Sequence, residues 1–370
     1  MMQEALRLAA DAKMDTAPNP RVGCVIVRDG VVLGRGCTQK VGQAHAEVMA
    51  LRDAASQGHD VRGATAYVTL EPCSHFGRTP PCANALIESG IGRVVAALED
   101  PNPLVAGRGF AMLRDAGIDV SHGLSAEQAT ELNIGFLHRM RTGQPWVRLK
   151  MAASIDGYTA LPNGQSQWIT DAEARLDGHR WRARANVIMT GIGTVLADDP
   201  QLTVRLTTQA DGVSQVSADP FQPPKWIVDS QLRTPATSQI LQTGEVCIVH
   251  ALDDAASNEK SEKYRQTNGQ VRTLSLPNPN GAGVDLSALL AELGRQQVNE
   301  VHVEAGAILS GALMAQGLVN EVVLYLAPKF LGQGRGLFDL PQMEHVDQAR
   351  NWRMHAVEKI GNGLRLILRP

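Results

Sequence analysis

The 370-residue chain has the composition of an ordinary globular protein, with 44% hydrophobic and 20% charged residues. Its net charge of −3 and its 4% aromatic content argue against an extended nucleic-acid surface, which needs a basic stripe or stacking aromatic side chains. The length predicts two domains, and no apolar run approaches the ~20 residues of a membrane helix.

Cysteine usage and the first residues both lead us to expect a cytoplasmic protein. The five cysteines form an odd, scattered set, which is not typical of a disulfide framework. Residues 1–7 carry charges every few positions and have no apolar signal-peptide core. We therefore expect neither a secreted protein nor one with a membrane partner.

The first 140 residues alternate between predicted helices and strands. Helices are predicted over 3–14, 45–56, 109–116 and 126–140 and from 82 onward, and strands over 22–27, 31–34, 64–70, 93–98 and 118–120. The dipeptide Asp29-Gly30 predicts a hairpin turn between the first two strands. This succession predicts an α/β sandwich.

Three candidate metal ligands lie in this half: His45, Cys73 and Cys82. Three protein ligands leave the fourth position of a tetrahedral zinc ion open to water. Glu47, two residues after His45, is free to take a proton and return it to a ring nitrogen and a departing amine. We expect His45 and Glu47 in the first turn of a helix, and both cysteines near helix N-termini, where the dipole favours thiolate. The pattern is typical of zinc-dependent deaminases, although the gap between the cysteines is longer.

The long gap between the cysteines admits several interpretations. It contains His75 and Arg78, which suit a substrate with an anionic group such as phosphate. Alternatively, His75 is a fourth ligand that closes a structural zinc site, or the cysteines are buried core thiols. We favour the open catalytic site because the ligands, the spare carboxylate and the flanking prolines coincide in one pattern.

The second half starts after a boundary at residues 141–145, which Gly and Pro punctuate. A strand from 145 ends at the Asp156-Gly157 turn, and Thr170 with Glu173 predicts a capping box for a helix reaching about residue 184. A strand over 186–191 leads into a glycine turn that could approach phosphate. Residues 207–224 are irregular, residues 251–270 are weakly patterned, and a strand over 301–306 enters a helix over 308–316.

Several segments carry a resemblance to one family. Residues 71–82 (EPCSHFGRTPPC), 17–23 (APNPRVG) and 99–103 (EDPNP) closely resemble the deaminase half of the bifunctional riboflavin-biosynthesis deaminase/reductase family. Residues 150–157, 166–170, 194–205 and 304–312 resemble its reductase half. The resemblance implies a cytidine-deaminase-like three-layer α/β/α fold for residues 1–143 and a dihydrofolate-reductase-like α/β fold for residues 144–370.

The resemblance also implies site residues. Besides the zinc ligands and the catalytic Glu47, it assigns the deaminase substrate to Asn19, His75, Arg78, Asp100 and Asn102. It assigns NADPH to Ala153, Trp168, Thr194, Ser230, Gly306, Ala307, Ile308, Leu309, Ser310, Gly311 and Ala312. It assigns the reductase substrate to Ser166, Arg182, Asp198, Leu202, Arg205 and Glu304. Arg182 and Arg205 could clamp a sugar phosphate bidentately, whereas a solvated helix face for Arg182 and a simple turn at Asp198 are the alternatives.

The implied activities are zinc-dependent deamination of 2,5-diamino-6-ribosylamino-4(3H)-pyrimidinone 5′-phosphate and NADPH-dependent reduction of 5-amino-6-(5-phosphoribosylamino)uracil to its ribitylamino product. We expect a homo-oligomer, either a dimer or a tetramer, acting on this small phosphorylated pyrimidine. A deaminase of nucleic-acid bases is disfavoured by the acidic balance, the few aromatics and the long cysteine gap. A zinc-stabilised binding module without activity is disfavoured because it has no need of Glu47.

Overall fold

The chain folds as two units, Met1–Gln144 and Pro145–Pro370. The computed structural model describes residues 1–12, 16–75, 80–103, 105–210, 213–216, 221–267 and 269–370. Within these ranges, no helix has the length and apolar character needed to cross a membrane.

The first unit is built on a five-stranded sheet of order β2-β1-β3-β4-β5. Its strands are β1 (Gly23–Arg28), β2 (Val31–Cys37), β3 (Thr65–Val68), β4 (Arg93–Ala96) and β5 (Asp119–His122). Its helices are α1 (Met2–Asp11), α2 (Ala46–Ser56), α3 (Cys82–Glu88), α4 (Arg108–Asp115), α5 (Ala126–Leu132) and α6 (Ile134–Thr142). Strand β1 is antiparallel to β2 and β3, whereas β3, β4 and β5 are parallel.

Helices cover both faces of this sheet. Successive side chains of a strand point to opposite faces, so Cys24 and Ile26 pack in one apolar cluster and Val25 and Val27 in another. The first cluster takes in residues of α2, α3, α4 and α6, and the second takes in residues of α1 and α5. The predicted three-layer α/β/α architecture is therefore confirmed.

Glycines in β2 allow α2 to approach the sheet closely. A Cβ atom at Gly36 would lie 2.3 Å from the carbonyl oxygen of Ala46, and one at Gly34 would lie 2.2 Å from that of Ala50. Only glycine fits at such distances, and the facing residues of α2 are small and buried alanines. This packing fixes the amino end of α2, which His45 precedes as the N-cap residue.

Two expectations for helices of the first unit were wrong in detail. His45 is the N-cap of α2 with extended backbone (φ −80°, ψ 171°) and does not lie in the first turn. The helix predicted over 126–140 is interrupted at Asn133 (φ −115°, ψ 24°). The Asn133 side chain accepts from the Arg21 N–H at 2.9 Å and donates to the Arg21 carbonyl at 2.8 Å. These tertiary bonds hold Asn133 out of helical geometry.

The second unit contains a nine-stranded sheet of order β13-β12-β11-β8-β14-β6-β15-β18-β17. The strands of this sheet are β6 (Trp146–Ser154), β8 (Val187–Gly191), β11 (Lys225–Val228), β12 (Glu245–His250), β13 (Gln270–Ser275), β14 (Glu300–Val303), β15 (Glu321–Ala327), β17 (Arg353–Ile360) and β18 (Gly363–Arg369). Two further pairs of strands lie outside it: β7 (Tyr158–Ala160) with β16 (Arg335–Gly336), and β9 (Thr207–Ala210) with β10 (Val213–Val216). Its helices are α7 (Ala172–Arg184), α8 (Ile192–Asp198), α9 (Asp254–Ser261), α10 (Leu286–Arg295) and α11 (Ala307–Ala315).

The large sheet is parallel from β13 to β15, and β18 and β17 extend it in antiparallel fashion. Strands β9 and β10 pair with each other inside the stretch predicted to be irregular. The capping box at Thr170 was wrong, because the Asp171 side chain accepts from the Ala174 N–H at 2.9 Å and caps α7. Asp171 also accepts from the Asn362 N–H at 2.8 Å.

One face of β6 is charged although it is buried. Arg148 has no exposed surface and pairs with Glu300 at 2.6 Å and with Glu321. Its guanidinium also lies over the Trp181 ring, 4.5 Å from the ring centroid. Glu300 and Glu321 are the first residues of β14 and β15. Ligand sites of parallel sheets lie at the carboxyl ends of the strands, so this network at the amino ends is structural.

We predict that Arg148→Ala lowers the free energy of unfolding of the second unit by about 3 kcal/mol, because it leaves two buried carboxylates short of a partner. All five tryptophans lie in this unit, so urea unfolding followed by tryptophan fluorescence measures it. Arg265→Ala, which removes an exposed pair with Glu262, is the matched control and should change little. Equal stabilities for the two variants would contradict the structural role of Arg148.

Candidate functional site

Three elements of the first unit bring His45, Cys73 and Cys82 together. His45 precedes α2, Cys73 lies in the loop after β3, and Cys82 is the first residue of α3. The His45 Nδ1 atom lies 3.7 Å from the Cys73 sulfur and 3.3 Å from the Cys82 sulfur. The three potential ligand atoms all lie within 4.8 Å of one another, and no further described His, Cys, Asp or Glu joins them. His75 is therefore not a fourth member of this cluster.

Cys73 departs from the expectation that it lies near the start of a helical segment. It occupies a non-helical loop, but its sulfur accepts the Cys82 N–H at 3.2 Å, at the amino end of α3. Its carbonyl accepts the Ala83 N–H, also at 3.2 Å. The amino end of α3 therefore favours the thiolate of Cys73 by donating this N–H, although Cys73 itself is not in a helix.

When protons are the only cations near them, the two thiols ionise unequally: the pKa of one is lowered and that of the other is raised. Hydrogen bonding from the Cys82 thiol, helped by His45, lowers the pKa of Cys73 to about 4. The neighbouring Cys73 sulfur, together with burial, raises the pKa of Cys82 far above its usual range. A divalent cation in the cluster would let both sulfurs be thiolates, and two thiolates with one imidazole are the donors that zinc prefers. The residues fit a zinc ion.

Glu47 lies beside the cluster without being part of it. Its side chain is buried, and burial followed by the charge of Cys73 raises the pKa of its carboxyl to about 7. A carboxyl with a pKa near neutrality can both accept and donate a proton under working conditions. The arrangement can therefore serve metal-assisted hydrolysis with Glu47 as the proton carrier.

Three of the substrate residues implied for the first unit, Asp100, Asn102 and His75, are buried or half-buried. Asp100 is buried, and burial raises the pKa of its carboxyl to about 6, with further contributions from Glu71 and Cys73. The Asn102 N–H donates to Asp100 at 2.9 Å. His75 is half-buried, and its Nδ1 atom has no hydrogen-bond partner among the described residues.

The other two implied residues are Asn19 and Arg78. Asn19 precedes β1, and its N–H donates to the Thr16 carbonyl at 3.1 Å. In the part of the chain that the structure describes, no hydrogen bond links Asn19 to the metal ligands. Arg78 lies outside the described residues.

The residues implied for NADPH meet at the carboxyl edge of the second sheet. Ala153 lies near the end of β6, Thr194 lies in α8 just after β8, and Ser230 follows β11. Gly306 follows β14 and is the N-cap of α11, and its N–H donates to the Thr194 hydroxyl at 3.1 Å. Open parallel sheets bind ligands outside this edge. Topology thus groups residues that are far apart in sequence.

Of the implied residues from Gly306 to Ala312, Gly306 and Ile308 are exposed and Ala307 and Ala312 are half-buried. Ile308 is 77% exposed, whereas Leu309, Ser310 and Gly311 are buried. The Ser310 hydroxyl donates to the Ala305 carbonyl at 3.2 Å, and a Cβ atom at Gly311 would lie 2.0 Å from the Asp339 carbonyl oxygen. Side chains over 309–311 are therefore structural. The uncapped first turn of α11 fits a cofactor phosphate, because its N–H groups lack helical partners.

Trp168 is another exposed residue among those implied for the cofactor. Its ring is 63% exposed and lies under the Arg175 guanidinium, 4.5 Å from the ring centroid. Its carbonyl accepts from Lys329 Nζ at 2.7 Å. Trp168 lines a cavity of about 370 Å³ together with residues of α7, β15 and the β17–β18 turn. Ser166 lies in the same loop and is half-buried.

Glu304 is the centre of an ion-pair cluster at the end of β14. It accepts from Arg182 Nε and, at 2.9 Å, from Arg182 Nη2. Lys150 Nζ lies 3.9 Å from it and His302 Nε2 lies 3.3 Å from it. These charges hold the pKa of Glu304 well below its usual range. Arg182 is thus no solvated helix residue, and its bidentate partner is Glu304.

The remaining implied substrate residues follow α8. Arg205 is exposed, its guanidinium pairs with no described acid, and its N–H donates to His179 Nδ1 at 3.2 Å. Asp198 ends α8 and is exposed, with its pKa raised by partial burial. Leu202 is buried in an apolar cluster, so only its backbone can face a substrate. Of the two predicted clamp arginines, Arg205 is the one without an acidic partner.

Sequence reasoning gave no role to Lys150 or His302, although the structure places both beside Glu304. A signal was present: Arg148 and Lys150 alternate with apolar residues in β6, as Glu300, His302 and Glu304 do at β14. Charged residues at period two in a central strand must share one buried face, where they need partners. Burial lowers the pKa of Lys150.

Comparison with known proteins supports both units. The family described as "Cytidine and deoxycytidylate deaminase zinc-binding region" matches residues 1–98, and "RibD C-terminal domain" matches residues 145–366. "Riboflavin biosynthesis protein RibD" of Escherichia coli (strain K12) is 48% identical over 97% of this chain and 96% of that protein. The protein of the same name from Haemophilus influenzae is 43% identical over 100% of this chain and 96% of its own length.

Solved structures agree over the whole length. Acinetobacter baumannii RibD has a TM-score of 0.86 at 42% identity and covers 100% of this chain and 97% of that one. The Thermotoga maritima diaminohydroxyphosphoribosylaminopyrimidine deaminase/5-amino-6-(5-phosphoribosylamino)uracil reductase has a TM-score of 0.86 at 30% identity, with the same coverage. This chain belongs to the RibD family of riboflavin biosynthesis, as a bifunctional member with a deaminase domain and a reductase domain.

Proposed function

We propose that this chain catalyses two successive steps on one phosphorylated pyrimidine. The first is hydrolytic deamination of 2,5-diamino-6-ribosylamino-4(3H)-pyrimidinone 5′-phosphate, and the second is NADPH-dependent reduction of 5-amino-6-(5-phosphoribosylamino)uracil. The observation that carries the proposal is the cluster of His45, Cys73 and Cys82 with a separate, buried Glu47 beside it. The Thermotoga maritima relative bears the names of both activities.

In the deaminase unit, His45 Nδ1 and the sulfurs of Cys73 and Cys82 would hold a zinc ion. When bound, the ion supplies a Lewis acid that makes water nucleophilic near neutral pH. Glu47 takes a proton from the attacking water, whose oxygen bonds to the ring carbon, and gives that proton to a ring nitrogen. It then carries the proton of the new hydroxyl to the amine, so that a carbonyl forms, the carbon–amine bond breaks and ammonia leaves. Asn19, His75, Arg78, Asp100 and Asn102 would bind the substrate around this centre.

In the reductase unit, the first turn of α11 would hold a phosphate of NADPH, with Ala153, Thr194, Ser230 and Trp168 along the same edge. NADPH supplies a hydride to the sugar carbon when bound. The bond from that carbon to the ring oxygen breaks, and the oxygen requires a proton. We assign this proton to Lys150, and the support is that burial lowers its pKa and that its Nζ atom lies 3.9 Å from Glu304. Glu304 in turn is held by Arg182.

A coupled assay tests the proposal directly. Ammonia release and NADPH oxidation are followed on the amino-pyrimidine phosphate, with NADH as the comparison cofactor. We also propose that the protein works in the cytoplasm as a dimer or tetramer, which light scattering on the purified protein measures. Absence of ammonia release from the zinc-loaded protein would refute the deaminase assignment.

Glu47→Gln should keep zinc and the fold while slowing deamination by about 10²-fold or more, because the amide cannot carry the proton. Ammonia release and zinc content measured on the same preparation check this. Glu88→Gln, at the exposed end of α3, is the control and should behave like the unmodified protein. Deamination by Glu47→Gln at the unmodified rate would show that another group moves the proton.

Cys82→Ser should lose zinc together with deamination, since a hydroxyl is a much poorer zinc ligand than a thiolate. Zinc is measured by elemental analysis after dialysis against a weak chelator. Cys37→Ser in β2 lies outside the ligand cluster and should retain stoichiometric zinc. Full zinc occupancy in Cys82→Ser would exclude Cys82 as a ligand.

Arg205→Ala should raise KM for the reductase substrate roughly 10- to 100-fold, the scale of one lost charge-assisted contact to phosphate. Steady-state NADPH oxidation with the deaminated intermediate measures this. Deamination should persist, because every zinc ligand lies in the first unit. Arg265→Ala, exposed and distant from the substrate residues in sequence, is the control. An unchanged KM would remove Arg205 from the phosphate site.

A further inference from the structure

Glu71 is a buried carboxylate whose hydrogen-bond donors, among the described residues, are all backbone N–H groups. Its Oε2 atom accepts from the N–H groups of Asp100 at 3.1 Å and Gly107 at 3.0 Å. Its Oε1 atom accepts from Gly109 at 2.9 Å and Phe110 at 3.2 Å. The side chain is 3% exposed, and it is not a member of the metal-ligand cluster. Hydrolysis as described above leaves it without a role.

The four bonds join the segment that carries a zinc ligand to the segment that carries the implied substrate residues. Glu71 lies two residues before Cys73, and the donors begin at Asp100 and end in the first turn of α4. Asp100 then accepts the Asn102 N–H at 2.9 Å, and Asn102 accepts the Val105 N–H at 2.8 Å. One carboxylate thus fixes the start and the end of the loop over 100–110.

Gly109 shows how closely these segments meet. A Cβ atom there would lie 2.0 Å from the Pro72 carbonyl oxygen and 3.1 Å from Glu71 Oε1. No other residue could bring its N–H to the carboxylate without moving α4 away from Pro72. The Pro72 carbonyl belongs to the peptide unit that joins Pro72 to Cys73. A shift of α4 would therefore displace the loop that carries Cys73.

We propose that Glu71 is a positioning residue of the deaminase: it holds residues 100–102 in a fixed place relative to the loop that carries Cys73 before substrate arrives. The inference rests on the proposed function. Because Asp100 is bonded to Glu71 and Asn102 to Asp100, these two residues need less ordering when they bind substrate, which lowers the entropic cost of binding. A carboxylate is required because both of its oxygens accept, whereas the amide nitrogen of Gln would face two N–H donors.

The experiment uses the full-length, zinc-loaded protein with Glu71→Gln. We expect KM for deamination to rise at least tenfold, with a smaller fall in kcat. Zinc content and reduction of the deaminated intermediate should be unchanged. Gly109→Ala adds a Cβ atom that would collide with the Pro72 carbonyl oxygen and so push α4 away from Glu71. It should raise KM in the same way. Asp115→Asn, an exposed carboxylate at the other end of α4, is the control and should leave KM unaltered.

A KM equal to that of the unmodified protein in Glu71→Gln would overturn the inference, even if the melting temperature fell, since that pattern belongs to a purely structural residue. Loss of zinc from Glu71→Gln would also overturn it, because Glu71 would then act on the ligands. If Glu71→Gln does not fold, Gly109→Ala decides by the same KM criterion. Failure of the unmodified protein to release ammonia would refute the proposed function itself, which is a distinct result.

Discussion

Both sites of this protein depend on one constraint: a charge buried in the core of a domain must be neutralised by a partner placed there with it. At the amino end of β6, Arg148 meets two glutamates and the network is closed. At the carboxyl side of the same sheet, Glu304 is paired by Arg182, while Lys150 lies at 3.9 Å, too far for a direct hydrogen bond. The first arrangement only stabilises the sheet. The second leaves a half-buried ammonium without a close acidic partner, and burial lowers its pKa.

The same constraint applies to the first unit, where the buried groups are mostly ones that carry negative charge. Two thiols, an imidazole and Glu47 are brought together where burial penalises every negative charge, and protons neutralise them unevenly, with the pKa of Cys73 lowered and that of Cys82 raised. A cation of charge two neutralises both sulfurs at once. Glu47 then remains the group whose proton is free to move. The glycines of β2 contribute because they let α2 carry His45 up to the sulfurs.

The features that the sequence predicted are those encoded locally. The positions of His45 and Cys82 at helix starts, the Asp29-Gly30 turn and the alternation of strands and helices all follow from a few neighbouring residues, and the structure contains them. The failures come from partners far along the chain. Asn133 breaks a helix by bonding to Arg21, 112 residues away, and Arg182 is bound by Glu304, 122 residues away. Propensity and capping rules do not contain such partners, although period-two charges in β6 and at β14 were a readable sign of them.

Pairing within a unit also explains how one chain can host two different chemistries. Each ligand of the metal cluster comes from Met1–Gln144, and each partner of Glu304 comes from Pro145–Pro370. In the first unit, burial and the charge of Cys73 raise the pKa of Glu47 to about 7. In the second unit, Arg182 and Lys150 hold the pKa of Glu304 well below its usual range in spite of its burial. Two glutamates are thus driven to opposite protonation behaviour by the charges nearest to them, and each set of charges is supplied by the unit that uses it.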